Sequence, residues 1–332
     1  MLRSLLRGAR LAGTLVGALT AAGGLYVAAS EERRTAVQRG ARLIRYCAPI
    51  VYDYAVTLAR VEAELGAESP GALAARSATH SRAAVALLAL AEANGGVFIK
   101  FAQALSTNRY SLPDEVTSVL ARAQDRAPPR PWSEVAAVFA EDHGAPASAV
   151  FASIEEAPVA AASLAQVHRA VTREGARVAV KIQYPRLRRE AAADLSAIRL
   201  AAAALELMWP ALGYSWLLPE LEASLRAELN FLQEARNGER CAAMLASSGL
   251  ASRVHVPAVH RALSSERVLV MEWIEGCRVD DLAGLARLGA PPAAVAAAVV
   301  RTFAEMYFIH GFVHCDPHPG NLMVRAAPGG GG

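Results

Sequence analysis

Apolar positions recur at spacings of three and four from residue 33 to about residue 104, the pattern of helices that bury one face. Ser69-Pro70, between Gly66 and Gly71, breaks the run. Pro113 suits the first turn of a further helix, with Asp114 and Glu115 placed to favour its dipole. Pro128, Pro129 and Pro131 forbid regular structure and mark a boundary. A short helix over 132–142, ended by Gly144, comes next.

Beyond Gly144 the period shortens towards two, and 150–154, 163–171 and 178–183 read as strands with a Glu174-Gly175 hairpin turn. Two long helices follow, over 187–208 and 219–245. A second strand pair is expected at 255–261 and 267–273, joined by Ser264-Ser265. Pro291-Pro292 opens a helix to about His310, and a loop over 311–325 leads into a last strand. Strands, helix, strand pair, helix and polar loop form an α+β order.

Composition changes this picture little. The 332-residue chain is 54% hydrophobic and 20% charged, with mean hydropathy +0.24 and much of the apolar share in alanine. A net charge of +3 gives no field that would mark a nucleic-acid binder. Cys47, Cys241, Cys277 and Cys315 are scattered without a C-x-x-C pair, which argues against a disulfide framework or zinc ribbon and for a reducing compartment.

The N-terminus adds an address. Residues 1–30 hold no Asp or Glu, and Arg3, Arg7 and Arg10 lie at helical spacing, as in an organellar transit peptide. The uncharged run over 11–29 comes close to crossing a ~30 Å hydrocarbon core, and Gly13, Gly17 and Gly24 would let another membrane helix approach. An anchored segment is expected, with a cleaved presequence as the other reading.

Three clusters carry candidate chemistry. Val178-Ala179-Val180-Lys181 closes an apolar strand with a lysine, as the phosphate-binding strand of a kinase does. His314-Cys315-Asp316-Pro317-His318-Pro319-Gly320-Asn321 has an Asp and an Asn five residues apart, the spacing of H-R-D-x-x-x-x-N, in which the Asp faces the nucleophile and the Asn binds metal. The same stretch could instead ligate a metal through His310, His314, Asp316 and His318, although no helix sets His314 and His318 at i, i+4. Glu234, in the run from Glu228 to Asn237, is a candidate partner for Lys181, and otherwise one carboxylate on a solvated helix face.

With the alanine-rich Ala160-Ala161-Ala162-Ser163 standing where a glycine-rich loop would be, the motifs A-V-K-I-Q-Y-P, E-L-x-F-x-x-E-A-x-N and H-x-D-P-H-P-G-N closely resemble the UbiB/AarF-domain atypical kinases over residues 94–325. The resemblance implies a protein-kinase-like α+β fold with an N-terminal helical extension. Its parts would be a targeting or transmembrane segment (1–30), the extension (31–130), a small lobe (131–275) and the start of an incomplete large lobe (276–332). It implies ATP and Mg2+ as cofactors. Lys181 would contact phosphates, Glu234 would orient Lys181, and Ala160, Ala161, Ala162 and Ser163 would cover the nucleotide. Asp316 would act as base or water-positioning group, and Asn321 would bind magnesium.

The family's K-x-G-Q motif, on an extension that folds over the nucleotide site, is here Lys100-Phe101-Ala102-Gln103; by resemblance Lys100 would meet Glu228 and Asn230, and Lys100, Gln103 and Glu228 would line the nucleotide site. Ala102 stands for Gly and Asn230 for Asp; if the glycine needs positive φ, alanine costs on the order of 1 kcal/mol. By resemblance the activity is that of an ATPase or small-molecule kinase supporting prenyl-lipid (ubiquinone-type) metabolism at a mitochondrial membrane, or a plastid one. Adenine nucleotide and membrane lipid or prenyl-lipid would be its partners. A kinase also needs a magnesium-binding Asp on the next strand, and the sequence stops before one. The expectation is therefore a truncated large lobe with weak nucleotide binding and poor turnover. A non-catalytic nucleotide- or lipid-binding scaffold is the alternative.

Overall fold

The computed structural model describes residues 31–107, 112–125, 129–208, 217–315 and 317–326. The expected membrane segment over 1–30 lies outside them. No helix among the described residues is long and apolar enough to cross a membrane.

Two compact units divide the chain, one drawn from 1–130, 160–166 and 184–226, the other from 131–159, 167–183 and 227–332. In the first unit, α1 (Glu31–Tyr52) continues through one π-helical turn (Asp53–Leu58) into α2 (Ala59–Leu65). The Ser69-Pro70 signal then starts α3 (Pro70–Asn94): the Ser69 hydroxyl accepts the Ala72 N–H at 3.2 Å, and Pro70 takes the first turn, where no N–H is needed. Gly95, at φ +66°, ends α3 and leads into α4 (Gly96–Thr107) and α5 (Asp114–Leu120).

The buried centre of this unit holds a charge pair that the sequence pattern did not disclose. Arg39 of α1 donates from Nε to Asp194 Oδ1 at 2.7 Å, from Nη2 to Asp194 Oδ2, and from Nη1 to the Asn94 carbonyl at 2.6 Å. Asp194 lies on α8 (Leu187–Met208). Burial pushes the Asp194 carboxyl up, against the pull of Arg39.

The second unit is built around a sheet. Helices α6 (Trp132–His143) and α7 (Ala147–Val150) lead into β1 (Phe151–Ile154); after β2 (Ala160–Ala161), which falls in the first unit, come β3 (Ala165–Thr172) and β4 (Arg177–Gln183). Gly144 ends α6 in the left-handed conformation, as its position suggested. The strands run in the order β1-β3-β4-β5, with β5 at Val268–Glu272. The antiparallel β4–β5 register runs from Val178 opposite Glu272 to Ile182 opposite Val268. Val178, Val180 and Ile182 are fully buried, and Phe139 of α6 packs on Phe151 with ring centroids 5.6 Å apart.

Two expectations fail. The helix expected over 219–245 is two helices, α9 (Leu217–Glu228) and α10 (Phe231–Ala246), because Asn230 adopts an extended conformation and its Oδ1 accepts the N–H groups of Leu232 and Gln233. The strand expected at 255–261 is reduced to a single bridge between Val259 and Met271. Pro257 has no N–H to give a ladder there. The Ala258 N–H goes instead to the Glu272 carboxylate at 3.1 Å.

The C-terminal part of this unit adds β6 (Cys277–Arg278), α11 (Leu282–Arg287), α12 (Pro292–Phe308) and β7 (Met323–Val324). Neither β6 nor α11 was expected from the pattern.

Candidate functional site

Lys181 sits near the end of β4, opposite Leu269 of β5. Its neighbours Val180 and Ile182 are fully buried, so the strand's alternation sends Lys181 to the other face. There Nζ donates to both oxygens of Glu234, at 2.7 and 2.8 Å. Glu234 lies in the first turn of α10, and the Phe231 ring, from the same turn, sits 4.6 Å from the ammonium. The cation therefore has a carboxylate on one side and an aromatic face on another. The side chains of Lys181 and Glu234 keep 25% and 41% of their surface exposed. A cation that open has donor capacity for a second anionic partner.

The polar loop is tethered in the same unit. β7 pairs antiparallel with β6 through Cys277–Val324 and Arg278–Met323, and the Val279 N–H donates to the Leu322 carbonyl at 3.0 Å. Gly276 permits this approach, since a Cβ there would lie 2.3 Å from the Val324 carbonyl oxygen. Asn321 closes a 3-10 turn (Pro319–Asn321) and is exposed. His318 Nδ1 accepts the Gly320 N–H at 3.1 Å and so caps that turn. Asp316 lies outside the described residues. Among the described residues no three His, Cys, Asp or Glu side chains are grouped to hold a metal ion.

Of the other candidates, Ala160 to Ser163, Lys100 and Gln103 belong to the first unit, and Glu228 belongs to the second. Ala160 and Ala161 form β2, and the Ala162 N–H donates to the Ala165 carbonyl at 2.8 Å, closing a tight turn around Ser163. Arg186 is the one non-glycine residue at positive φ among the described residues. The alanine loop is thus built from conformations that any residue adopts, and it is stiffer than a glycine loop.

Lys100 and Gln103 lie on α4, where Gln103 Nε2 donates to the Ala123 carbonyl at 3.3 Å. Ala102 is buried within that helix, so the cost expected from a positive φ does not arise. Glu228 closes α9, and Asn230 spends its Oδ1 on capping α10.

Sequence reasoning missed several buried polar residues. Gln166, fully buried, accepts the Arg130 N–H at 2.8 Å and donates to the Arg130 carbonyl at 3.2 Å. His168 donates from Nδ1 to the Glu155 carbonyl at 2.8 Å, and its ring lies 4.8 Å from Trp132; burial holds its pKa below the usual value. Gln183 bridges two carbonyls. One signal was present in the composition: of 34 Lys and Arg residues only two are lysine, Lys100 and Lys181, both inside motifs. Where arginine serves nearly everywhere, a retained lysine points to a site that needs a compact ammonium.

The ABC1 atypical kinase-like domain matches residues 122–329. AarF domain-containing protein kinase 1 of Xenopus tropicalis is 40% identical over 292 residues, covering 88% of this chain and 54% of that protein. The Gallus gallus protein of the same name is 37% identical over 326 residues, covering 97% of this chain and 62% of its own length. This chain thus spans little more than half the length of these relatives. The solved complex of Rv3197 with erythromycin from Mycobacterium tuberculosis is 32% identical with a TM-score of 0.50, covering 71% of this chain and 59% of that one. With a family domain matched over most of its length and a kinase-type lysine–glutamate pair between strand and helix, the chain belongs to the ABC1/AarF family of atypical kinase-like proteins.

Proposed function

We propose that the chain carries the nucleotide-binding part of an ATP- and magnesium-dependent ATPase or small-molecule kinase, one that supports prenyl-lipid metabolism at a mitochondrial membrane. The observation behind the nucleotide reading is the two-pronged Lys181–Glu234 contact on an open face of the sheet. Lys181 would hold phosphate oxygens, with Glu234 fixing its direction. Asn321 would bind the magnesium through its amide oxygen, a ligand type that hard cations accept. Asp316 would orient the attacking hydroxyl or water. Magnesium, when bound, supplies charge neutralisation at the phosphates. The membrane and the lipid substrate rest on the family resemblance and on the basic, apolar N-terminal pattern.

Thermal unfolding with and without Mg·ATP tests the nucleotide reading. At nucleotide ~100-fold above its Kd the expected stabilisation is about 2.7 kcal/mol. Lys181→Ala should abolish it while leaving the far-ultraviolet circular dichroism unchanged. Stabilisation that survives Lys181→Ala would place the phosphates elsewhere and sink the kinase-type assignment of this site.

A further inference from the structure

We infer that Gln183 is a positioning residue for the Lys181–Glu234 pair, its side-chain amide fastening the strand that carries the lysine to the start of the helix that carries the carboxylate. The inference rests on the reading of that pair as a nucleotide site. Gln183 lies two residues beyond Lys181 on β4, so both side chains leave the same face of the strand. Its Nε2 donates to the Leu229 carbonyl at 2.8 Å and to the Glu266 carbonyl at 3.3 Å, which uses both amide hydrogens. Its own backbone N–H donates to the Arg267 carbonyl at 2.9 Å.

Each acceptor stands at a junction. Leu229 immediately precedes Asn230, the cap of α10. Glu266 precedes β5, and its carbonyl also accepts the Phe231 N–H at 3.0 Å. The end of β4, the start of α10 and the approach to β5 are thereby stitched at one buried amide. Phe231 and Glu234 follow within one helical turn and reach back to Lys181. Moving the start of α10 away from β4 would strain the Gln183–Leu229 bond. Asn230 strengthens the hold by fixing the direction in which α10 starts.

The oxygen of the same amide supports this assignment. Gln183 Oε1 is buried and makes no hydrogen bond among the described residues. A buried acceptor left unmatched is unfavourable, and an apolar side chain of similar length would avoid it. What glutamine adds over such a side chain is the pair of N–H donors.

The near absence of lysine makes the test direct. Labelling of the full chain with an amine-reactive ester reports on Lys181, with Lys100 as internal reference. Gln183→Met keeps the length and removes the donors. It should speed Lys181 labelling relative to Lys100 and weaken Mg·ATP binding by about three- to tenfold. In a Glu234→Gln background the same change should add nothing to either readout, because the pair it positions is already broken. A fall in thermal stability with labelling and affinity unmoved, or effects that add fully in the double variant, would mean a structural role only and overturn the inference. If Gln183→Met does not fold, Gln183→Asn replaces it, its amide one methylene too short to reach both carbonyls. Should the unmutated chain bind no nucleotide, the site reading falls, and the labelling ratio alone still decides whether Gln183 holds the pair.

Discussion

Arg39–Asp194 in the first unit and Lys181–Glu234 in the second are both two-pronged ion pairs between distant segments. One is sealed and the other open: the side chains are 9% and 2% exposed in the first pair, 25% and 41% in the second. The sealed pair uses arginine, whose fork satisfies a carboxylate while a third donor reaches the Asn94 carbonyl, leaving little to bind anything else. The open pair uses lysine, a compact charge whose donors can be shared with a phosphate. Packing demands complete partnering of a buried charge; binding demands that some capacity be left over. The contrast separates an ion pair with its donors fully spent from one that keeps the spare donor capacity the proposed phosphate contact requires.

Breaking the sealed pair should have the largest effect. Arg39→Leu leaves the Asp194 carboxyl buried without its partner, at a cost of about 3–5 kcal/mol. Urea denaturation measures it. Adding Asp194→Leu should restore much of the loss, since an apolar pair carries no desolvation penalty. A single variant within ~1 kcal/mol of wild type would show that water already reaches the site and that the two pairs are alike.

The open pair should answer oppositely. Lys181→Arg and Glu234→Gln should each shift urea stability by less than ~1 kcal/mol, the worth of a partly exposed ion pair. Both should nonetheless lose most of the Mg·ATP-induced rise in Tm. A large stability loss with the nucleotide response intact would reverse the assignment of roles.

How far this difference could be read in advance follows from the range over which each signal acts. The lysine strand was legible because alternation and the V-A-V-K ending are local, and the break at Ser69-Pro70 and the helix end at Gly144 were legible because short-range residue types signal each of them. Arg39 and Asp194 lie 155 residues apart, and nothing local to either indicates the other. Asn230 looked like a helix-interior residue until its side chain was seen capping the next helix. The false strand at 255–261 carried its own warning in Pro257. Gln183 passed as strand polarity because its importance lies in two carbonyls, whose positions depend on the whole fold.

A pH titration sharpens the comparison next, because the second unit buries a neutral histidine. Burial holds the His168 pKa below its ordinary value, so the folded state binds fewer protons than the unfolded state between the two. The stability this group supports is complete above about pH 6.5 and falls as the pH drops through that value. Mild acid should therefore loosen the unit that carries the open pair, and His168→Gln should flatten the decline. Hydrogen exchange at β3 and β4 between pH 5 and 7 follows it. Equal acid sensitivity in wild type and variant would assign the decline to other groups.

The smallest expected effect concerns the start of the helix that delivers Asp194. Arg186 holds φ +61°, and its carbonyl accepts the N–H groups of Arg189 and Glu190, both at 3.0 Å, so a strained residue begins α8. A non-glycine residue in that conformation costs ~1–2 kcal/mol. Glycine removes the clash and returns ~0.4–1 kcal/mol of it as extra freedom in the unfolded chain. Arg186→Gly should therefore stabilise the protein by about 0.5–1 kcal/mol in urea. Because Glu190 and Asp194 both face Arg39 from α8, the gain belongs to the sealed pair's unit, and the Mg·ATP response at Lys181 should not change. A net loss of stability would show that the Arg186 side chain contributes more than its backbone strain costs. A weakened nucleotide response with stability raised would show that the two pairs are coupled, and the separation drawn between them would fail.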